Sequence, residues 1–308
     1  MNEMLVLSEE VALALRRRKP VVALETTLVT HGLPHPQGLE AALELEEIVR
    51  AGGAVPATVG ILDGAVRVGL ARAELERLAG ARDVAKVNLG NLAAVVASSI
   101  PGSATVAATM FVAAQAGIRV FATGGIGGVH RDVAESGDVS ADLTALGRFP
   151  VAVVCAGAKA ILDLPRTVEM LETLGVPVLG FGTDEFPAFY RRSSGQRVDR
   201  RCDSLDDLAR VARTHWALGS RTGVLVANPI PEADELPRAA YEQALEGALA
   251  EAAERGLRGR EVTPFLLDRL RERTGGATVT ANLALLRNNA RVAAELARAL
   301  ARVQPKEA

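Results

Sequence analysis

Short runs of consecutive apolar residues alternate with longer amphipathic stretches from about Pro20 to about Pro229. The runs at 20–25 (PVVALE), 54–62 (AVPATVGIL), 84–88 (VAKVN), 118–125 (IRVFATGG), 151–157 (VAVVCAG), 176–182 (VPVLGFG) and 223–229 (GVLVANP) predict strands. Between them, residues 38–53, 104–117, 166–175 and 204–219 predict helices. Apolar strands separated by helices point to a largely parallel sheet, buried on both faces. Further helices are predicted over 237–256, 261–273 and 279–302; in the last, Leu283, Leu286, Ala290 and Leu296 recur at helical spacing on one face. The expected fold is α/β: a three-layer α/β/α sandwich around a largely parallel sheet, with a helical C-terminal region. No repeat or long linker interrupts the pattern, so residues 1–308 read as a single domain. The stretch RRSSGQRVDRR (191–201) is basic and patternless; it reads as a solvated loop, with a lid over an anionic ligand as the sharper alternative.

Composition narrows the function classes. Aromatic residues are only 3 % of a chain that is 49 % hydrophobic, so Ala, Val and Leu supply the packing. Thirty-five basic residues against 37 acidic ones give a net charge of -2, which argues against a nucleic acid polymer as partner but leaves room for a nucleotide-sized anion. Cys155 and Cys202 lack CxxC spacing, consistent with a reducing compartment. The N-terminal stretch has no signal-peptide pattern, and charges or glycines interrupt every apolar run before membrane-spanning length. A soluble, cytoplasmic protein with no membrane partner is expected. Among the basic residues only Lys19, Lys86, Lys159 and Lys306 are lysines. A lysine amine can lose its proton and attack a carbonyl, whereas a guanidinium cannot, so the internal Lys86 and Lys159 are the first places to look for chemistry.

Polar residues at predicted strand ends supply the other candidates, because ligands of open α/β sheets gather there. Glu25 ends an apolar strand, where desolvation suits a general acid; bonding to Thr26 or Thr27 is an equal alternative. Lys86, at the end of VAKVN, can neutralise a phosphate or simply reach solvent. Ser103 or Thr105 caps a helix whose first-turn amides can hold an anion, with Val106 contributing its backbone. The segment FATGGIGGVHRDVAESGDVSADL (121–143) reads as a flexible glycine turn followed by His130, Asp132, Glu135, Asp138 and Asp142. Its GGxGG spacing is not a dinucleotide fingerprint. Asp138, in a non-helical turn, suits a hard divalent cation completed by water, and Ser140 an N-cap; a solvated acidic loop is the plain alternative. Lys159 follows a strand among Ala, Gly and Ile, a setting that disfavours the ammonium and favours the nucleophilic amine over a snorkelling side chain.

Taken together, the segments ALETTLVTHGLPHPQ (23–37), PATVGILDG (56–64), VNLGNLA (87–93), TVAATM (105–110), FATGGIGGVHR (121–131), SGDVSADL (136–143), CAGAKAILDLPRT (155–167), GFGTDEFPAFY (180–190) and TANLALLRNNA (280–290) resemble the pseudouridine-5′-phosphate glycosidase family, in order and over nearly the whole chain. The resemblance implies reversible cleavage of a C–C glycosidic bond to uracil and ribose 5-phosphate through a lysine imine. It implies Glu25 as proton donor and Lys159 as nucleophile. Substrate contacts would come from Lys86, Val106 and the span Ser140, Ala141 and Asp142, with His130 and Asn282 also in the site. Asp138 would ligate a divalent metal, typically manganese, and the assembly would be a homotrimer. Two rivals remain from the residues alone: a lysine-dependent aldolase acting on a sugar phosphate, and a non-enzymatic sugar-phosphate sensor in which Lys159 is structural.

Overall fold

The computed structural model describes residues 4–257 and 262–302; Glu261, the first residue of one predicted helix, and Lys306 lie outside the described residues. Among the described residues eleven strands form one sheet: β1 (Leu5–Leu7), β2 (Val21–Leu24), β3 (Val55–Leu62), β4 (Ala65–Val68), β5 (Ala85–Val87), β6 (Gly102–Ala104), β7 (Val120–Ala122), β8 (Ala152–Cys155), β9 (Val178–Phe181), β10 (Arg200–Cys202) and β11 (Val224–Ala227). The order is β1-β4-β3-β2-β7-β8-β11-β9-β10, with β6 joining β3 and β5 pairing β6. Among the described residues every pairing is parallel except β3 with β4 and β3 with β6. The parallel strands β2, β8 and β11 are buried at every position, which is why they read as unbroken apolar runs rather than alternating ones.

Among the described residues twelve α-helices accompany the sheet: α1 (Glu9–Arg16), α2 (Gln37–Ala51), α3 (Arg72–Gly80), α4 (Leu92–Ala97), α5 (Val106–Ala116), α6 (Val133–Ser136), α7 (Ala141–Leu146), α8 (Leu164–Thr173), α9 (Leu205–Ala217), α10 (Arg238–Glu254), α11 (Val262–Arg273) and α12 (Ala277–Arg302). Helix α12 lies over β2, β7 and β8 between α2 and α9, while α5 lies against β2 and β7 beside α7. The two groups share strands rather than contacts with each other, so they cover opposite faces of a mostly parallel sheet, as the apolar pattern predicts.

Four strands escaped the pattern, each for a physical reason. Strand β4 pairs back on β3 through Asp63 and Gly64, both at positive φ. That Asp-Gly pair is a hairpin signal lying unread inside PATVGILDG. Strands β1, β6 and β10 are three residues each, and β10 (Arg-Arg-Cys) is a charged edge. The last takes part of the stretch expected to be a loop. The rest of 191–201 is pinned: Arg192 donates its backbone N–H to Glu235 at 3.0 Å and a guanidinium N–H to the Ile230 carbonyl at 2.6 Å. Glu185 accepts from Ser193 and from the Gly195 N–H. None of residues 191–201 lines the main cavity.

The order of strands positions the site. The chain passes from β2 to β3 on one side and returns to place β7 on the other side of β2. At such a switch point the connections diverge and leave a crevice at the carboxyl ends of the two strands. Glu25 follows β2 and Thr123 follows β7, directly at that crevice.

Candidate active site

A cavity of about 1510 Å³ opens at the switch point. Its wall includes Glu25 after β2, Lys86 on β5, Val106 at the start of α5, the glycine turn and acidic segment after β7, Lys159 beyond β8 and Asn282 on α12. Every site residue expected from the sequence therefore lines one space: Glu25, Lys86, Val106, His130, Asp138, Ser140, Ala141, Asp142, Lys159 and Asn282.

Glu25 is buried, and its two carboxylate oxygens accept hydrogen bonds from the Thr27 and Thr123 hydroxyls. The plain alternative for this residue thus holds as to Thr27, but the same carboxylate lines the cavity. Thr26 turns the other way: it donates to the Val59 carbonyl at 2.7 Å and accepts from the Ala104 N–H at 2.9 Å, tying β2 to β3 and β6.

Lys86 is accessible from the cavity, yet the protein around it holds its ammonium below the usual lysine range. Burial is the main cause and the positive charge of Lys159 adds to it, while Asp142 and Glu25 pull the other way. The sequence leaves Lys86 either neutralising a phosphate or reaching solvent; the folded chain brings it under the charge of a second lysine. His31, which carries no distinctive signal in the sequence, also lines this corner. It sits in a π-helical turn, Leu28–Gly32, that follows Glu25. Burial and the charge of Lys86 keep its imidazole pKa low, so it stays neutral near neutral pH.

The glycine turn was expected to be flexible. None of its glycines has positive φ, and their role is close approach. A Cβ on Gly127 would overlap the Ser140 side chain and lie 2.9 Å from Asp142 Oδ2. That closeness lets Asp142 act as a clamp: Oδ2 accepts from the Gly127 N–H at 2.8 Å and Oδ1 from the Ala107 N–H at 2.9 Å. Both oxygens of this expected substrate contact are therefore already engaged. Thr105, not Ser103, caps α5 by accepting from the Ala108 N–H, so Val106 keeps the one first-turn N–H without an acceptor among the described residues. The anion-holding capacity expected of this helix start is correspondingly smaller. Ser140 caps α7 as expected, accepting from the Asp142 N–H at 3.2 Å.

Asp138 is half-buried, with its carboxylate 3.8 Å from His130 Nε2. Among the described residues no group of three or more His, Cys, Asp or Glu side chains is arranged to hold a metal. The donor set at Asp138 is one carboxylate beside an imidazole, which fits a hard cation only if water and substrate oxygens complete its shell. Both cysteines are free and buried, and burial pushes the Cys155 thiol up to about 12, so neither offers a thiolate to the site. Among the described residues no helix is long and apolar enough to cross a membrane.

Residues 10–299 match the family described as Indigoidine synthase A like protein. The chain belongs to that family. Among the family's curated members, it is 56 % identical over 297 residues to the pseudouridine-5′-phosphate glycosidase of a Nocardioides species, covering 96 % of this chain and 97 % of the other. It is 53 % identical to the protein of that name from Caldanaerobacter subterraneus, with the same coverage. Among solved structures, the prealnumycin C-glycosynthase AlnA in complex with ribulose 5-phosphate superposes with a TM-score of 0.92 at 40 % identity, over 98 % of each chain. An indigoidine synthase A-like protein from Thermotoga maritima superposes with a TM-score of 0.88 at 38 % identity, over 97 % of each. The mostly parallel, helix-flanked architecture is thus common to the family.

Proposed function

We propose that this chain is a pseudouridine-5′-phosphate glycosidase, reversibly cleaving the C–C glycosidic bond of that nucleotide to uracil and ribose 5-phosphate. The observation that carries the reading is the convergence of Glu25, Lys86 and Lys159 on one cavity at the ends of strands far apart in sequence. An acid and two amines in reach of one ligand are what imine chemistry on a sugar needs. The names of the relatives supply the substrate class.

In this mechanism Glu25 gives a proton to the ribose ring oxygen as the bond from that oxygen to the anomeric carbon breaks. The uracil ring supplies the electron pair, leaving a double bond between base and sugar. The Lys159 amine adds to the anomeric carbon, and its surplus proton is returned to the cavity bases. Protonation of the uracil carbon then lets the C–C bond break, the nitrogen lone pair forming the C=N bond of the imine. Water hydrolyses the imine to ribose 5-phosphate and regenerates the amine. Lys86, with the Val106 N–H, binds and orients the anionic substrate; His130, Ser140, Ala141 and Asn282 line the space around it, and Asp142 holds the glycine turn in place. A divalent cation, manganese by resemblance, would be held by Asp138 and water, where it would offset phosphate charge. Assembly as a homotrimer and a cytoplasmic location belong to the same reading.

Borohydride added with ribose 5-phosphate tests it. The reduced sugar phosphate should attach to the peptide carrying Lys159, and uracil should be released from pseudouridine 5′-phosphate by the native chain alone. The depressed ammonium of Lys86 makes it the rival nucleophile, so an adduct mapped to Lys86 would reverse the two roles. No uracil release together with cleavage of a sugar phosphate would point to an aldolase, and an unreactive chain that still binds ribose 5-phosphate to a sensor.

A further inference from the structure

Helix α12 enters the cavity wall with Asn282 and Leu286, and Asn289 follows on the same face, one turn deeper. Asn289 is 1 % exposed. Its amide N–H groups donate to the Thr123 carbonyl at 2.8 Å and the Gly124 carbonyl at 3.3 Å. Its oxygen accepts from the Asn228 amide at 2.8 Å, and Asn228, itself buried, directly follows β11. The Thr123 hydroxyl in turn donates to the Glu25 carboxylate. A buried chain of hydrogen bonds thus runs Asn228, Asn289, Thr123, Glu25, crossing from β11 through α12 to the ends of β7 and β2.

We infer that Asn289, held by Asn228, is a positioning residue for the proton donor. It fixes the peptide of Thr123 so that the threonine hydroxyl stays on one oxygen of Glu25, leaving Thr27 on the other. The geometry favours this over mere attachment of α12 to the sheet. That helix already packs on β2, β7 and β8 through a row of buried aliphatic residues, including Leu285, Ala290 and Ala293. A buried amide is costly unless fully paired, and an apolar side chain would serve attachment equally well. The amide is spent on the two peptide carbonyls that immediately follow β7, one of them belonging to the residue that holds the acid. Orientation is where such placement matters, since misplacing a reacting group by about 1 Å can cost about 100-fold in rate.

This inference rests on Glu25 being the acid, and one set of variants separates the two ideas. Asn289→Leu should lower kcat for uracil release by about 10- to 100-fold, with KM changed less than about twofold. Borohydride should still trap ribose 5-phosphate on that variant. Thr123→Val, which keeps the shape and removes the hydroxyl, should lower kcat similarly. Because Asn289 acts through Thr123, the double variant should be no slower than the worse single one. If the two losses multiply, or if Asn289→Leu raises KM and abolishes trapping, Asn289 is a general packing residue and the inference falls. A Glu25→Gln enzyme with native kcat would sink the underlying reading instead. A native kcat in Asn289→Leu beside an inactive Glu25→Gln would sink the positioning role alone. Should Asn289→Leu fail to fold, Asn228→Ala is carried through the same cycle with Thr123→Val, and multiplicative losses again overturn the inference.

Discussion

The cavity has two kinds of wall, and they are built on different principles. On one side are the strand ends, where Glu25, Thr123 and Asp142 are buried and each polar atom is tied to backbone or hydroxyl partners. On the other side is the α10–α11 hairpin, which contributes Leu257, Leu267, Asp268 and Arg271. Its surface is laced by ion pairs: Glu251 with Arg255 and Arg273, and Asp268 with Arg269 and Arg271. Two guanidinium groups, of Arg255 and Arg269, also lie over the Phe265 ring. Such exposed pairs contribute about 0–1 kcal/mol each and weaken with salt, whereas a buried, fully paired network tolerates little change. The contrast assigns accuracy to the sheet side and adaptability to the hairpin side. Chemistry needs the first, and admission of a bulky ligand is compatible with the second.

The largest effect expected is at the sheet wall. Lys159→Arg keeps the charge but cannot form the imine, and should lower uracil release by on the order of 10⁴-fold or more. An active Lys159→Arg enzyme would remove the covalent step. Next, Glu25→Gln should cost about 10²- to 10⁴-fold in kcat, the usual worth of a general acid. Substitutions on the hairpin should not approach either figure: Asp268→Ala or Arg271→Ala should change kcat less than about tenfold, given what exposed pairs contribute. A loss comparable to that of Glu25→Gln would show that the hairpin takes part in the chemistry and that the division drawn above is wrong.

Stability should divide along the same line. Gly127→Ala drives a methyl group into Ser140 and Asp142, and should destabilise the fold by about 1–3 kcal/mol while reducing activity. Gly247→Ala, in the middle of α10, meets only the tip of the Arg273 side chain, which can move aside. It should leave stability unchanged or raise it by up to about 1 kcal/mol through helix propensity. Thermal unfolding of the two variants measures both. The smallest effect concerns salt: at about 1 M KCl, hydrogen exchange should quicken in α10 and α11 and stay unchanged in β2, β7 and β8. Equal acceleration of both would mean the two walls open as one unit.

How much of this could be read from the chain follows the same physics. Strands β2, β7, β8 and β11 were legible because burial on both faces demands unbroken apolar runs, and the long helices because one face repeats. Strands β6 and β10 were not, since Gly-Ser-Ala and Arg-Arg-Cys carry no apolar signal and exist only because a neighbour offers an edge. Glu25, Lys86 and Lys159 could be found as charged residues misplaced among aliphatic ones. Thr123 and Asn289 could not: a threonine and an asparagine are ordinary in sequence, and their meaning arises from partners 98 and 166 residues away. Asp142 is the opposite case: it lines the cavity as expected, yet its carboxylate proves to be holding two peptides together, which no sequence signal announces.

The long reach of the Asn289 contact has a consequence for synthesis on the ribosome. A nascent chain that has emerged through α8 already carries Glu25 and both internal lysines, and their neighbouring strands can pair. It lacks the helix whose asparagine pins the peptide after β7, because that helix follows all eleven strands. Contacts of such sequence separation form late, when loop closure has been met by the rest of the core. The hydroxyl of Thr123 would therefore be fixed on the Glu25 carboxylate only at the last stage of folding, so a stalled or clipped chain would carry both lysines in the cavity without that carboxylate held in place.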